Sequence, residues 1–316
     1  MGADGLRACW SLLIFITLLA ASLKSVSVLI KLLHLLPGQP APNMDLSPSF
    51  AIIGESLPFL ATLLVTWIMS KIEGRPNGVY GLGGTRPLPN FVTGLAWGVT
   101  CLSLLILLLW KSGLLVFDSR LIFGPDIFRY GAVWLLGFLL VGLLEEYHLT
   151  RGYVLFTLTR GLAGIYAWLF KTRHSRALGF WTAALGLSIL FGLGHGHNPN
   201  ESPIGLLSAG LASVVFCLSL WRTGSLWWAI GFHTSWDWAQ SFLYGVADSG
   251  LMAQHRLFAT HPLGKPIMSG GSTGPEGSIF ILLILPIISI IILFTLPRTS
   301  YGDPALTYAS KNLEAA

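Results

Sequence analysis

The sequence contains few charged residues, which excludes an ordinary soluble domain. Only 10% of its 316 residues are charged and 53% are hydrophobic, whereas soluble domains carry roughly 25% charged residues. Long apolar runs take the place of the missing charge. Because a helix needs about 18 or more apolar residues to cross a hydrocarbon layer of ~30 Å, the composition predicts an integral membrane protein.

Several features that would indicate other classes of protein are scarce or absent. The three cysteines, Cys9, Cys101 and Cys217, lack metal-ligand spacing, so we interpret them as packing residues. The glycine-rich segment 78–84 lacks a following Lys-Ser or Lys-Thr, so we expect a flexible loop and not a phosphate loop. No His-Glu-x-x-His run of an ordinary zinc protease occurs. The net charge is +5, but no basic stripe with interleaved aromatics accompanies it, so no nucleic-acid partner is expected.

Apolar runs predict an all-α, polytopic membrane helix bundle of about eight transmembrane helices. The runs are Trp10–Leu36, Phe50–Met69, Phe91–Trp110, Tyr130–Leu144, Leu178–Gly194, Ile204–Trp221, Leu226–Tyr244 and Ile279–Leu296. We expect a single membrane domain with three parts. These are the N-terminal membrane helices (1–129, spans one to three), a helical core (130–250), and a loop, the last membrane helix and a polar tail (251–316). The stretch from Arg160 to Arg176 is predicted as a loop.

Basic residues predict the orientation of the chain. They follow the even-numbered spans, at Lys71, Arg75, Arg86, Arg160, Lys171, Arg173, Arg176, Arg222, Arg298 and Lys311. The positive-inside rule therefore places both termini in the cytoplasm, in what we expect to be a bacterial plasma membrane. The loop between spans seven and eight would face outside. A cleaved secretory signal is the alternative for the N-terminus, but the apolar pattern resumes at Val26 and favours a first membrane helix.

Ionisable groups at membrane depth cost roughly 3 kcal/mol or more, so each is a candidate functional residue. The first such group is Glu145 and Glu146, which close an apolar run and precede Arg151. Neighbouring helical positions point about 100° apart, so one glutamate can act while the other anchors. The alternative is an interfacial pair of glutamates with Arg151 as an ion-pair partner within the helix.

The second group lies where an apolar run ends in Phe191, His195, His197 and Asn198. Two histidines that are two residues apart on a helix diverge, so they do not form a metal pair. Either His195 acts at a site, or it is a histidine that is hydrogen-bonded at a helix end.

The third group places His233 and Asp237 four residues apart, on a face shared with Gln240 and Tyr244. Such a polar stripe must face the interior of the bundle. Asp237 either accepts a hydrogen bond from His233 or points with it at a shared substrate or metal.

Together the three groups contain what peptide hydrolysis requires: a carboxylate to activate water, histidines to assist it, and donors to polarise a carbonyl. A proton-coupled transporter would also place Glu, His and Asp at membrane depth. A non-catalytic scaffold or an immunity-like protein is the third alternative.

The three segments together resemble the CAAX protease and bacteriocin-processing family of intramembrane proteases, also called the CAAX prenyl protease type 2 or lysostaphin-resistance-like family. The resemblance covers roughly Tyr130 to Gly250. The family's motifs are Glu-Glu-x-x-x-Arg, Phe-x-x-x-His and His-x-x-x-Asn or Asp, each on its own helix. The second and third occur here in full, whereas the first has one extra residue before the arginine. Either Glu146 occupies the position of the first glutamate, or the helix absorbs the extra residue as a single π-type turn.

The resemblance implies an intramembrane endopeptidase that acts on membrane-embedded or lipidated, CAAX-type substrates. It implies that Glu146 or Glu145, with His195, activates the hydrolytic water, and that His233 and Asp237 stabilise the oxyanion or bind a metal. The supporting residues that it implies are Arg151, Phe191 and Asn198. If a divalent metal such as zinc is present, its candidate ligands are His195, His233 and Asp237.

Overall fold

The computed structural model describes residues 6–35, 45–84 and 86–298, and this part of the chain is mostly helical. The predicted all-α membrane bundle is therefore confirmed. The helices are α1 (Ala8–Leu32), α2 (Pro48–Glu73), α3 (Pro87–Lys111), α4 (Pro125–Leu143), α5 (Tyr153–Phe170), α6 (Ser175–Gly194), α7 (Pro203–Thr223), α8 (Trp227–Trp238), α9 (Pro266–Ser269) and α10 (Ile281–Thr295). Two strands, β1 (Leu115–Arg120) and β2 (Phe258–Pro262), form an antiparallel ribbon. The tail after Arg298 lies outside the described residues.

Each predicted span coincides with a helix. Helices α1 to α7 are long and apolar enough to cross a membrane, and α10 is a shorter apolar helix. Helix α8 is continued by a π-helical turn, Ala239–Leu243, so the polar seventh span is a composite element.

Helix α5 corrects the prediction of a loop from Arg160 to Arg176. The sequence pattern hides this helix because Arg160 interrupts its apolar run. In the fold the guanidinium of Arg160 lies 3.6 Å from the Glu73 carboxylate and 3.2 Å from the Ser11 hydroxyl. The charge is thus neutralised by neighbouring helices, and the chain continues as a helix to Phe170.

One end of the bundle, here called the basic end, is where α2 and α7 stop and α3 and α8 start. The Glu73 carboxylate at the end of α2 accepts hydrogen bonds from Tyr80 (3.2 Å) and Tyr153 (2.7 Å). The Leu226 amide before α8 donates to the Gly81 carbonyl (2.8 Å). These bonds join the ends of four helices in one layer.

The opposite end, here called the loop end, is held together by the connection between α8 and α10. The Leu46 amide before α2 donates to the Met252 carbonyl at 2.7 Å. The Asn200 carbonyl before α7 accepts from Thr273 at 2.9 Å. The β1–β2 ribbon also lies here, because β1 follows the end of α3.

Helix α5 both begins and ends at the basic end. Its first residue, Tyr153, contacts Glu73, and α6 begins four residues after α5 stops. Helix α6 also begins at the basic end, since Phe180 near its start packs on Trp221 near the end of α7, with ring centroids 4.8 Å apart. The chain therefore crosses the bundle with α1 to α4, α6 to α8 and α10, while α5 is an excursion on one side.

Helix α8 lies at the centre of the bundle because glycines let α3 approach it closely. A Cβ atom on Gly98 would overlap the Phe232 carbonyl, and one on Gly231 would overlap the Phe91 carbonyl. Small residues at such crossings allow helix backbones to pack in direct contact. The close packing buries Trp228 and Ile230 completely and fixes the helix that carries His233 and Asp237.

Candidate active site

A cavity of about 270 Å³ brings most of the predicted site residues together. Glu145, His195, Asn198, His233 and Asp237 all line it. Its remaining walls come from α2, α7, α10 and the connection between α8 and α10. Four of the five predicted catalytic residues therefore share one space, although they come from three separate stretches of sequence.

The extra residue in the first motif is housed as predicted. Residues Leu144–Arg151 form a π-helix that continues α4. In a π-helix residues five apart stack on one another, as residues four apart do in an α-helix, so Arg151 returns to the face of Glu146. Its Nη1 atom lies 2.6 Å from Glu146 Oε2, and both side chains are fully buried. The ion pair within the helix, which was the alternative interpretation of this segment, is thus present between Arg151 and Glu146.

Glu146 also holds the ring of His233. Nδ1 of His233 lies 2.9 Å from Glu146 Oε1, and because a carboxylate accepts, this nitrogen donates. Both oxygens of Glu146 are then engaged, one by Arg151 and one by His233. The resemblance left open which glutamate activates water; the structure places Glu145 on the cavity and Glu146 behind His233.

Nε2 of His233 faces two carboxylates. It lies 3.6 Å from Glu145 Oε2 and 3.5 Å from Asp237 Oδ2. Asp237 is 5% exposed and lies one helical turn after His233. The pair predicted from the four-residue spacing therefore forms, and it extends to Glu145.

His195 lies at the end of α6, where the helix tightens into the 3₁₀ turn His195–His197. Its Nδ1 atom lies 2.9 Å from the Phe191 carbonyl. Since a carbonyl only accepts, Nδ1 carries the hydrogen, and Nε2 is the ring nitrogen that can accept a proton. His197 makes a similar bond to the Gly194 carbonyl at 3.0 Å but is exposed and does not line the cavity.

Phe191 and Arg151 contact each other, and Phe191 packs against His195. The Arg151 guanidinium lies over the rings of Phe191 and Phe216, 5.3 Å from each centroid. The Phe191 ring in turn packs edge-on against His195 at 4.6 Å. The four-residue spacing of the second motif therefore has a packing reason, because Phe191 joins His195 to the buried ion pair.

The other members of the predicted polar stripe follow α8 and bond to the next loop and to α3. The Gln240 amide donates to the Ala247 carbonyl at 2.9 Å, and the Tyr244 hydroxyl donates to Ser103 at 2.7 Å. Neither residue lines the cavity.

Three cavity carboxylates were missed by the sequence reasoning: Glu55, Asp248 and Glu276. Glu55 lies within the second predicted span. It could have been identified from the sequence, because an ionisable residue in a span is a candidate functional residue. The other two lie in a long loop, where a charge is unremarkable. Glu276 accepts from the Trp236 indole at 2.9 Å and from Ser249 at 3.2 Å. Burial and the neighbouring carboxylates of Asp237 and Glu276 hold the pKa of Asp248 well above its ordinary value.

A metal centre is one possibility that the resemblance left open. Among the described residues no group of three or more His, Cys, Asp or Glu side chains is arranged to hold a metal ion. Nδ1 of His233 is bonded to Glu146 Oε1, whereas its Nε2 atom lies 3.5 Å from Asp237 Oδ2. A divalent metal at His195, His233 and Asp237 stays a prediction, and no step below depends on it.

The fold and the cavity define a multi-pass membrane protein in which two histidines, a glutamate and an aspartate line one cavity. Residues 128–239 match the family model described as "Type II CAAX prenyl endopeptidase Rce1-like". The resemblance to the CAAX protease and bacteriocin-processing family is thereby confirmed over this segment, which contains all eight site residues predicted from the sequence. No curated protein and no solved structure matches the chain.

Proposed function

We propose that the protein is an intramembrane endopeptidase that hydrolyses a peptide bond of a membrane-associated substrate in this cavity. The observation that carries the proposal is the meeting of Glu145, His195, His233 and Asp237 around one space. A match to an endopeptidase family over the same residues supports it.

In the proposed reaction Glu145 activates the water. Its carboxylate takes one proton as the water oxygen attacks the carbonyl carbon of the scissile bond. When both ring nitrogens of His233 carry a proton, Nε2 donates to the resulting oxyanion, while the bond from Nδ1 to Glu146 keeps the ring in place. Asp237, 3.5 Å from Nε2, supports the positive charge of this ring.

Collapse of the tetrahedral species completes the reaction. The proton held by Glu145 passes to the amide nitrogen as the C–N bond breaks, which gives an amine and a carboxylic acid and restores the carboxylate. Nε2 of His195 is a second group that can carry this proton. The remaining hydrogen of the water stays on the new carboxyl group.

We also propose that the basic end faces the cytoplasm, in a plasma membrane. Both termini then lie in the cytoplasm, because α1 begins and α10 stops at that end: Arg160 contacts Ser11, and Arg222 contacts the Leu296 carbonyl at 2.6 Å. The described lysines and arginines concentrate there, which supports this orientation.

Cleavage of fluorescent peptides by the protein in proteoliposomes tests the proposal. Peptides anchored by a transmembrane segment and peptides anchored by a prenylated CAAX terminus serve as the two substrate sets, and mass spectrometry identifies the products. We expect Glu145→Gln to reduce turnover by about 10²–10⁴-fold, the usual contribution of a general base. Asp126→Asn, a change at an exposed carboxylate at the start of the same α4 element, should leave turnover unchanged.

Either of two results would contradict the proposal. Turnover that survives Glu145→Gln would remove Glu145 from the mechanism. A folded wild-type protein that cleaves neither substrate set would favour the non-catalytic scaffold. Cleavage restricted to the prenylated set would identify the substrate as CAAX-type.

A further inference from the structure

We infer that the second half of α1 binds a transmembrane helix of another protein, and that this helix carries a carboxylate at the depth of Lys24. The contact is a docking surface within the membrane. It is separate from the cavity, because no residue of α1 lines the cavity. The inference therefore goes beyond the proposed hydrolysis and does not depend on it.

Helix α1 packs on the rest of the protein mainly through its first half. Its two buried residues are Ser11 and Phe15. The Phe15 ring stacks on Tyr153 with centroids 4.3 Å apart, and the Ser11 hydroxyl accepts from Arg160 at 3.2 Å. None of residues 16–32 is buried. The second half of a helix that is long and apolar enough to cross the membrane thus turns most of its surface away from the protein.

The exposed surface of this second half differs from the exposed surface of other spans. On α6 the exposed positions carry large apolar side chains, which suit lipid: Leu185, Ile189, Leu190 and Leu193. On α1 they include small and polar side chains: Ala20, Ala21, Lys24, Ser25 and Ser27. Small residues let helix backbones approach closely, and hydroxyl groups can hydrogen-bond between helices. This surface therefore suits contact with a helix better than contact with lipid.

Lys24 determines the chemistry of the partner. It is exposed and lies seven residues before Lys31, a basic residue in the last turn of α1. At 1.5 Å per residue, Lys24 is about 10 Å deeper along the helix than Lys31. An ammonium group inside the membrane is costly unless an opposite charge pairs with it. Among the residues that the structure describes, none forms an ion pair or hydrogen bond with Lys24. A carboxylate on a neighbouring helix would neutralise it.

A second copy of this chain does not supply that carboxylate. Symmetric contact between two α1 helices would bring Lys24 against Lys24. The acidic residues of the described membrane helices are placed elsewhere: Glu55, Glu145 and Asp237 line the cavity, Glu146 pairs with Arg151, and Glu73 and Asp126 lie at helix ends. The partner is therefore a different membrane protein.

Association with designed transmembrane peptides tests the inference. Three leucine–alanine peptides differ only in carrying Glu, Gln or Leu at the depth of Lys24, and each bears an acceptor fluorophore. The full-length protein carries the donor on Cys9, which is exposed, whereas Cys101 and Cys217 are buried. Energy transfer in phosphatidylcholine vesicles, measured against peptide density, gives the relative affinities. The variant is Lys24→Leu, and Lys31→Leu at the end of the same helix is the matched control. Melting curves confirm that both variants fold.

We expect the wild-type protein to bind the Glu peptide about tenfold more tightly than the Leu peptide. Lys24→Leu should lose this preference, and Lys31→Leu should keep it. Equal binding of the Glu and Leu peptides by the wild type would overturn the inference, and is the result expected if Lys24 extends to lipid headgroups instead. A preference that survives Lys24→Leu would also overturn it. A Gln peptide that binds as tightly as the Glu peptide would exclude recognition of a charge and so overturn the acidic partner.

Discussion

Glu145 and Glu146 are adjacent in sequence but occupy different environments. The side chain of Glu145 is 25% exposed at the cavity, whereas that of Glu146 is fully buried between Arg151 and His233. A charge in such a position is tolerated only when its partners satisfy it. Burial therefore supports the proposed assignment, in which Glu146 orients His233 and Glu145 meets the water.

Breaking the Glu146–Arg151 pair should destabilise the protein strongly. Arg151→Met leaves a buried carboxylate without its cation, which costs about 3–5 kcal/mol in comparable buried pairs. The double variant Arg151→Met/Glu146→Gln should recover part of that loss but no activity, because His233 then lacks its charged acceptor. Thermal unfolding in detergent, followed by the fluorescence of the 12 tryptophans, measures both effects.

Arg173→Met, at an exposed residue of the α5–α6 turn, is the matched control and should leave the melting temperature unchanged. If the double variant were no more stable than Arg151→Met, the two side chains would not be energetically coupled.

Asp248 should make the stability of the protein depend on pH. Its carboxyl is half-buried, accepts a hydrogen bond from Ser241 at 3.1 Å and interacts with Asp237, Glu276 and His233, and its pKa is raised in the native state. The native state therefore binds more protons than the unfolded chain between the two pKa values, so the free energy of unfolding falls as the pH rises through that window. Asp248→Asn should raise the melting temperature near pH 8 and have no such effect near pH 4.

The test is a pair of melting curves at each pH, with Asp126→Asn as the control for the change in net charge. If wild type and Asp248→Asn respond identically to pH, ionisation of Asp248 does not limit stability.

At the level of elements, the π-helix Leu144–Arg151 accommodates the extra residue of the first motif and keeps Arg151 in contact with Glu146. One residue beyond the family spacing would turn Arg151 about 100° away from Glu146 in an α-helix. In the π-helix the arginine returns to the glutamate. Deletion of Thr150 should therefore convert the segment to an α-helix with the register of α5 unchanged. Melting temperature and turnover should stay close to wild type.

Deletion of Leu139 in α4 is the comparison. It removes one residue from a regular α-helix, so it should rotate Glu145 and Glu146 about 100° relative to the rest of α4 and abolish turnover. If both deletions lowered the melting temperature and turnover equally, the extra residue of the π-helix would be required for the fold and could not be treated as an insertion.

The α3–α8 crossing should be intolerant of a single methyl group. A Cβ on Gly231 would overlap the Phe91 carbonyl, whereas Gly186 on α6 has no neighbouring atom within 4 Å of that position. Gly231→Ala should thus force α8 away from α3 and lower the melting temperature and turnover together. Gly186→Ala should be neutral or stabilising by roughly 0.5–1 kcal/mol, because alanine favours the helix. Similar melting temperatures for the two variants would contradict a close crossing at Gly231.

At the scale of the whole molecule, most of the spans and site residues could be predicted from two features: the apolar runs, and the ionisable residues within or beside them. The spans could be predicted because a helix must be long and apolar to cross lipid. Glu145, His195, His233 and Asp237 could be predicted because an ionisable group at membrane depth is costly and is therefore a candidate functional residue. Asp248 and Glu276 could not be found in this way, because their loop is brought over the cavity only by tertiary hydrogen bonds such as that from Leu46 to Met252. Helix α5 was missed because the partner that neutralises Arg160, Glu73, is distant in sequence.

The position of α5 decides how many times the chain crosses the membrane. By length and apolarity α5 qualifies as a span, which would place residues 171–174 and 75–84 on opposite sides. The contacts of Tyr153, Arg160 and Phe180 place them on the same side. Reporter fusions after Arg75 and after Arg173 should therefore give the same signal, and a fusion after Leu121, in the loop that follows the α3 crossing, should give the opposite one. Opposite signals from the first two fusions would mean that α5 crosses, and then the termini could not share a compartment.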